Sequence, residues 1–153
     1  MRADSDQGLK LTLVLLIAVW ASDIGAYISG KVIGGAKVAP RISPGKTYAG
    51  LAGAIIPAAL VPPVAALFDY ALLDAPAKQV AMPLSFLYIQ LAMIGFFIGI
   101  SAQCGDFLIS FIKREAGIKD TGTLIPGHGG VLDRIDALLL AGPVYLVLLR
   151  FFI

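Results

Sequence analysis

The stretch Leu84–Phe111, LSFLYIQLAMIGFFIGISAQCGDFLISF, decides the fold of this chain. Its 28 residues contain a single charged side chain, the carboxylate of Asp106. A helix needs about 20 predominantly apolar residues to cross a bilayer, so the stretch predicts a membrane span with residues to spare. We expect the helix either to tilt or to break near Gln103–Gly105, whereas Gly95 and Gly99 predict close helix packing.

Three other apolar segments flank this one along the chain. They cover about Leu9–Tyr27, Tyr48–Phe68 and Ala137–Ile153. All four predict helices, because backbone groups in lipid must be hydrogen-bonded within their own segment. Three prolines in the second segment, Pro57, Pro62 and Pro63, predict a kink or an early end there. The predicted fold is an all-α, polytopic integral membrane protein with about four transmembrane helices, and residues 1–153 form one membrane-embedded domain.

The composition agrees with this fold class. Of 153 residues, 58% are hydrophobic and 14% charged, the mean hydropathy is +0.87, and the net charge is +2. These values exclude a disordered chain and an ordinary soluble globule, and the balanced charge argues against nucleic-acid binding. The single cysteine, Cys104, excludes an intrachain disulfide.

The Lys and Arg residues predict how the chain is oriented. The loop Lys31–Lys46 carries four basic residues and no acid, and the loop Ile112–Asp136 carries four more beside four acids. The loop between the second and third spans contains one basic residue, Lys78. Loops rich in Lys and Arg face the cytoplasm, so we expect two cytoplasmic catalytic loops and both termini on the opposite side.

Carboxylates in and beside the third and last spans predict a metal site. Asp106 lies inside an apolar segment, where carboxylates are costly and usually functional. Asp133 and Asp136 are three residues apart and would project from one face of a helix. Hard oxygen ligands of this kind suit Mg²⁺, so Asp106, Asp133 and Asp136 are the predicted metal ligands.

Basic residues nearby predict a phosphate-containing substrate. Four cations can neutralise phosphate charge: Lys113, Arg114, Lys119 and Arg134. Pro126–Gly130 is a small-residue loop that a ligand can approach closely. In the other loop, Ser43, Lys46 and Thr47 could bind a phosphate at a helix N-terminus, or Ser43 or Thr47 could simply cap that helix. Together these features suit metal-assisted phosphoryl or nucleotidyl transfer.

Two groups of motifs resemble the phosphatidate cytidylyltransferase, or CDP-diacylglycerol synthase, family. The first comprises Ser110–Arg114 (SFIKR), Lys119–Gly122 (KDTG) and Pro126–Asp136 (PGHGGVLDRID). The second comprises Asp23–Tyr27 (DIGAY), Gly30-Lys31 and Ser43–Thr47 (SPGKT). The resemblance covers essentially the whole chain but only the C-terminal half of a usual family member.

The resemblance implies a reaction in which CTP and phosphatidate give CDP-diacylglycerol and pyrophosphate. Mg²⁺ is the implied cofactor, with a second cation as an option, and the implied place is a bacterial inner membrane with the site facing the cytoplasm. A homodimer is a further expectation. The implied catalytic residues are Asp106, Lys113, Asp133 and Asp136. The implied substrate-binding residues are Ser43, Lys46, Thr47, Ser110, Arg114, Lys119, His128 and Arg134.

Two positions depart from the family pattern. Ala49 stands where the family usually has glutamate, and Ile109 stands where it often has glutamate. Two alternatives therefore stay open at this point. The chain could be a truncated or non-catalytic membrane subunit, or it could be a related CTP-dependent lipid kinase or cytidylyltransferase that uses another lipid acceptor.

Overall fold

The protein is described by a computed structural model that covers residues 5–68, 83–118, 121–122 and 130–152. The elements are, in chain order, α1 (Ser5–Val32), β1 (Lys37–Ala39), β2 (Ser43–Thr47), α2 (Tyr48–Phe68), α3 (Leu84–Glu115) and α4 (Leu132–Phe152). Within the described ranges, α1, α2 and α3 are long and apolar enough to cross a membrane. The predicted all-α membrane fold is confirmed.

Helices that are consecutive in sequence pack side by side, α1 on α2, α2 on α3 and α3 on α4. The strands β1 and β2 form an antiparallel hairpin between α1 and α2. Arg114, at the end of α3, donates from Nε to the carbonyl oxygen of Ile42 in the hairpin, at 3.2 Å. The hairpin and the α3–α4 connection therefore lie at the same end of the bundle, which we call the hairpin end.

Small side chains fill the interior of the bundle. Ala18, Ala102 and Ala141 are fully buried beside Ile94 and Ile98. Large apolar side chains instead lie on the outside, for example Phe68 at 88% exposure and Leu146 at 67%. Small residues between helices and large apolar residues outside them are the arrangement that a bilayer favours, since lipid solvates the large side chains and close backbone approach holds the helices together.

The prolines of α2 do not end or divide the helix, which runs without interruption from Tyr48 to Phe68. Of the two predicted alternatives, the early end is therefore wrong, and the kink stays a prediction. Pro57 and Pro62 each lie against a glycine of a neighbouring helix: a Cβ built on Gly25 of α1 would lie 2.7 Å from Pro57 Cγ, and one on Gly95 of α3 would lie 2.9 Å from Pro62 Cδ. The proline rings thus fill space that the glycines leave, and a membrane helix tolerates the lost hydrogen bonds.

Of the two alternatives for the third span, a tilt or a break near Gln103–Gly105, the break is wrong, because α3 is one helix of 32 residues. Gly105 instead lies where α3 packs against α4. A Cβ on Gly105 would lie 2.6 Å from the carbonyl oxygen of Asp136 and 3.3 Å from the Cα of Ala137. The glycine therefore lets α4 approach α3 closely, and it brings Asp136 next to the turn of α3 that carries Asp106.

The predicted close packing at Gly95 and Gly99 is confirmed. A Cβ on Gly99 would lie 2.9 Å from the Cβ of Ala58, and one on Gly95 would collide with the carbonyl oxygen of the same residue. Both glycines therefore meet α2 with their backbones.

We expect Gly95→Ala to lower the free energy of unfolding by about 1–3 kcal/mol, as overpacking does in other cores. Gly142→Ala is the matched control, since a Cβ there meets nothing within 4 Å and helical Gly→Ala replacements gain about 0.5–1 kcal/mol. Thermal unfolding of both variants in detergent measures the difference. Equal midpoints would contradict this account of the α2–α3 contact.

Candidate active site

A polar cavity of about 400 Å³ lies at the hairpin end, between α1, α2, α3 and β2. Small residues such as Ala26, Gly30, Gly45 and Gly50 form part of its walls. Its charged and polar lining residues include Asp23, Tyr27, Lys31, Lys46, Gln103 and Asp106. A cavity of this size and polarity inside an otherwise apolar bundle is the candidate functional site.

An ion pair joins the hairpin to α3 inside this cavity. Lys46 Nζ lies 2.6 Å from Asp106 Oδ2, with 17% and 31% of the two side chains exposed. The ammonium also lies 4.0 Å from the centroid of the Phe107 ring. It is buried, and its contact with Asp106 is an ion pair rather than a well-aligned hydrogen bond. Lys46 is also one of the residues that line the cavity.

Further carboxylates approach Asp106 from α1 and α4. Asp23 interacts electrostatically with both Asp106 and Asp136, and Lys46 is the cation that opposes them. Gln103, buried on α3, donates from Nε2 to Ser22 Oγ at 3.3 Å. Ser110, one turn after Asp106, donates to Asp106 Oδ1 at 3.3 Å. The structure therefore brings carboxylates from three helices near Lys46, and Lys113 also attracts the one from α4.

Thr47 caps the N-terminus of α2. Its Oγ1 accepts a hydrogen bond from the backbone N–H of Gly50 at 3.0 Å, and Tyr48 N donates to the carbonyl oxygen of Ala36 at 3.2 Å. Thr47 is 3% exposed. The sequence left two roles open for this residue. The structure shows one of them, capping. Phosphate binding by Thr47 stays a prediction.

We expect Thr47→Ala to cost about 0.5–2 kcal/mol of stability, the usual cost of removing an N-cap. Thr12→Ala is the matched control, because Thr12 Oγ1 only donates to the carbonyl oxygen of Gly8 within α1, and such bonds do not stabilise a helix. Thermal unfolding in detergent compares the two. A control that loses as much stability as Thr47→Ala would contradict the capping role.

A second cluster lies where α3 ends and α4 begins. Lys113 Nζ donates to Asp133 Oδ1 at 2.8 Å. Asp133 Oδ2 accepts three hydrogen bonds at 2.9 Å, from Thr121 N, Thr121 Oγ1 and Gly130 N. Lys113, followed by the backbone donors of Thr121 and Gly130, holds the pKa of the Asp133 carboxyl well below its usual range. Asp133 is therefore a fully engaged carboxylate.

The other predicted site residues are spread over the hairpin end. Ser43 is in β2, where it pairs with Ala39 of β1, and Arg114 contacts the carbonyl oxygens of Ile42 and Ile118. Asp136 Oδ1 accepts from the N–H of Ala137 at 2.8 Å. Lys119 and His128 lie outside the described residues, as does the side chain of Arg134. Their roles stay predictions.

The carboxylates of the hairpin end are candidate ligands for a divalent cation. No group of three or more His, Cys, Asp or Glu side chains in the described part of the chain is arranged to hold a metal ion. Mg²⁺, however, usually takes one or two carboxylates together with water and substrate phosphates rather than a complete protein cage. Asp106 and Asp136, which are electrostatically coupled, fit that mode of binding.

Four polar residues of the cavity were not among the predicted site residues: Asp23, Tyr27, Lys31 and Gln103. The first three belong to motifs that already resembled the family, and that position was the available signal. Lys31 Nζ lies 3.4 Å from Tyr27 Oη and 5.5 Å from the centre of its ring. Gln103 had no signal beyond being an amide in an apolar stretch.

The fold and the cavity define a class: integral membrane proteins that gather carboxylates and lysines into one polar site at the end of a helical bundle. Within that class, the chain belongs to the cytidylyltransferase family, whose model matches residues 1–152.

The chain is also similar to individual proteins, two of which are named phosphatidate cytidylyltransferase. The chain is 42% identical over 134 residues to a phosphatidate cytidylyltransferase of Rickettsia bellii, covering 88% of this chain and 55% of that protein. It is 39% identical over 142 residues to one of Haemophilus influenzae, covering 93% and 46%. It is 44% identical over 144 residues to the uncharacterized protein YnbB of Escherichia coli, covering 94% and 44%. The chain spans about half the length of the curated relatives it matches.

Proposed function

We propose that this protein transfers the cytidylyl group of CTP to phosphatidate, forming CDP-diacylglycerol and pyrophosphate at a membrane surface. The observation that carries the proposal is the cavity at the hairpin end, where Lys46 and Asp106 face one another in an otherwise apolar bundle. Family membership and the names of two relatives support the choice of reaction.

The place of the cavity suits a reaction between a lipid and a water-soluble nucleotide. Three helices that can span a membrane keep the protein in the bilayer, where the tails of the lipid substrate also stay. The cavity opens near the hairpin, a polar segment that follows α1. We propose that this end faces the cytoplasm of a bacterial inner membrane, because both connections at this end are rich in Lys and Arg.

In the proposed reaction, an oxygen of the phosphatidate phosphate attacks the α-phosphorus of CTP. The new P–O bond joins the two phosphates, the bond from the α-phosphorus to the oxygen bridging to the β-phosphorus breaks, and pyrophosphate leaves with that electron pair. A phosphate monoester is largely ionised near neutral pH, so no strong general base is needed. The residues position the reactants and balance their charge.

The lysines supply positive charge for the phosphates. Lys46 presents a buried ammonium to the cavity, and Lys31 lies at another part of its wall. Lys113 and Arg114 end α3 on the same side of the bundle. We assign phosphate binding to Lys46 first, with Ser43, Thr47, Ser110 and Arg114 around it. Lys119 and Arg134 keep the phosphate-binding role that the sequence predicts for them, and His128 keeps its predicted role of hydrogen bonding near the metal or nucleotide. The homodimer stays a prediction.

We propose that Asp106 and Asp136 hold Mg²⁺, and the metal role predicted for Asp133 stays a prediction. When bound, the ion would offset the negative charge of the phosphates. Gly105 permits the close approach of α3 and α4 that brings the two aspartates together. Lys46 then has a second role, since its ammonium keeps Asp106 in place beside the cavity.

Labelled CTP tests this proposal. Membranes containing the chain are incubated with CTP labelled in the α-phosphate, Mg²⁺ and one lipid: phosphatidate, diacylglycerol or a polyprenol. We expect a labelled lipid only with phosphatidate, and none after addition of EDTA. Transfer of label from γ-labelled CTP to a lipid hydroxyl would identify a lipid kinase instead. Absence of labelled lipid with every acceptor would favour a non-catalytic subunit and overturn the proposal.

A further inference from the structure

Two side chains, one from α1 and one from α3, form the inner end of the cavity. Asp23 and Gln103 both line the cavity, and both helices run towards the hairpin end. Asp23 precedes the cavity residue Lys31 by about two helical turns, and Gln103 precedes Asp106 by about one. On these two helices, Asp23 and Gln103 are therefore the polar lining residues that lie farthest from the hairpin.

The N–H groups of Gln103 are both engaged by neighbouring side chains. Its Nε2 donates to Ser22 Oγ at 3.3 Å, and Ser22 is fully buried. The same side-chain amide hydrogen-bonds the carboxylate of Asp23. Because an ionised carboxylate only accepts, this second bond uses the other N–H of Nε2. The amide thus keeps no N–H for a ligand.

Asp23 gives the inner end of the cavity its acceptor character. An ionised carboxylate offers about four lone-pair sites, and Gln103 donates to this one from the side of α3. Asp23 is exposed and lines the cavity, so a ligand inside the cavity reaches its oxygens. A ligand group that binds here has to bring its own hydrogen-bond donor.

Of the two proposed substrates, the nucleotide is the one that brings such donors in its base. Phosphatidate offers ester and phosphate oxygens, which mainly accept. Cytosine carries a 4-amino group with two N–H donors, whereas uracil has a carbonyl oxygen at the same place. A carboxylate at the inner end therefore attracts cytosine and repels uracil.

The order of charges along the cavity agrees with this placement of the base. Lys46 pairs with Asp106, nearer to the hairpin than Gln103, and Lys31 lies near the end of α1. A nucleotide has its base at one end and its phosphates at the other. With the base at Asp23, the phosphates extend towards Lys46 and Lys31.

We propose that Asp23 selects the nucleotide by accepting a hydrogen bond from the 4-amino group of cytosine, and that Gln103 is a positioning residue that holds Asp23 for this contact. The inference rests on the proposed function for its substrate. It gives a role to two cavity residues that the sequence left without one.

Nucleotides that differ at single groups test the proposal. The unaltered protein and Asp23→Asn are assayed with phosphatidate and each of four α-labelled nucleotides: CTP, UTP, 2′-deoxy-CTP and the triphosphate of pyrimidin-2-one riboside, which is cytidine without its amino group. We expect the unaltered protein to prefer CTP over the pyrimidin-2-one in kcat/KM by about 10- to 100-fold, the worth of a hydrogen bond to a charged group. Asp23→Asn should lower the ratio of CTP to UTP by a similar factor, because the amide can donate to the uracil oxygen.

Gln103→Leu is a milder variant that keeps every carboxylate of the cavity. It should lower the ratio of CTP to UTP by about 2- to 10-fold, as for an ordinary hydrogen bond. Gln90→Leu is the matched control, because Gln90 is also on α3 but does not line the cavity. Its ratio should equal that of the unaltered protein, since a purely structural loss lowers the rates with both nucleotides alike.

An unchanged ratio of CTP to UTP in Asp23→Asn and Gln103→Leu would overturn the proposal. A change confined to the ratio of CTP to 2′-deoxy-CTP would also overturn it, since the ribose would then lie at Asp23. If the unaltered chain forms no CDP-diacylglycerol, the proposed function fails. Calorimetric binding of the same four nucleotides to the full chain in detergent then still decides whether Asp23 selects cytosine.

Discussion

Asp106→Asn should lower the rate of CDP-diacylglycerol formation by at least about 100-fold, the lower end of what removing one group that stabilises transition-state charge costs. The amide keeps the shape of the side chain but loses the negative charge that faces Lys46 at 2.6 Å. It also removes one of the two carboxylates proposed to hold Mg²⁺. The rate with labelled CTP and phosphatidate, measured at saturating Mg²⁺, checks this expectation.

Glu115→Gln is the matched control for this prediction. Glu115 is also on α3, but it is exposed at the end of the helix. The control loses the same charge from the same element, and its rate should stay within about twofold of the unaltered protein, as expected for a surface change worth less than about 0.5 kcal/mol. If both variants lose activity equally, the loss reflects the charge of the helix end and not the cavity.

The sequence was sufficient to predict the helices, because a helix that crosses lipid needs a long apolar segment whose backbone groups bond within that segment. The limits of the second segment, Tyr48 and Phe68, agree with α2, since polar residues precede it at Gly45–Thr47. The last helix begins at Leu132 rather than at the predicted Ala137. The reason is local: Asp133 is satisfied by backbone and lysine donors, so the helix can start before the apolar segment does.

Features that depend on pairs of distant residues could not be predicted. The prolines of α2 looked like helix breakers because the sequence does not show that Gly25 and Gly95 lie opposite them. The β1–β2 hairpin was missed for a similar reason: a three-residue and a five-residue strand, the second containing Ser43, Pro44 and Gly45, have no hydrophobic alternation.

The sequence was sufficient to predict which types of residue form the site, but not which carboxylate faces which lysine. The sequence placed Asp106, Asp133 and Asp136 in one metal site because all three are carboxylates near one end of the bundle. In the structure Asp106 faces Lys46, whereas Asp133 faces Lys113 and Thr121. The sequence assigned Lys113 a catalytic role and Lys46 a substrate-binding role, but it did not show which carboxylate each lysine faces.

Lys46→Gln should affect both stability and activity, because Lys46 attracts the two carboxylates that line the cavity, Asp23 and Asp106, and also Asp136 of α4. Its loss leaves Asp23, Asp106 and Asp136 repelling one another without that ammonium. The pair with Asp106 is partly exposed, so we expect a cost of about 1.5–3 kcal/mol, as for a bond to a charged group, and not the roughly 3–5 kcal/mol of a fully buried pair. The loss of phosphate binding should lower the rate by at least about 100-fold as well.

The double variant Lys46→Gln/Asp106→Asn separates the two effects. It removes both charges of the pair, so the midpoint of thermal unfolding should return towards that of the unaltered protein while the activity stays lost. A double-variant cycle of this kind isolates the energy of the pair. Lys37→Gln is the control, because Lys37 lies on the exposed face of β1 and does not line the cavity. If the double variant is no more stable than Lys46→Gln alone, Lys46 stabilises the fold through its contact with Phe107, and the carboxylates do not need it.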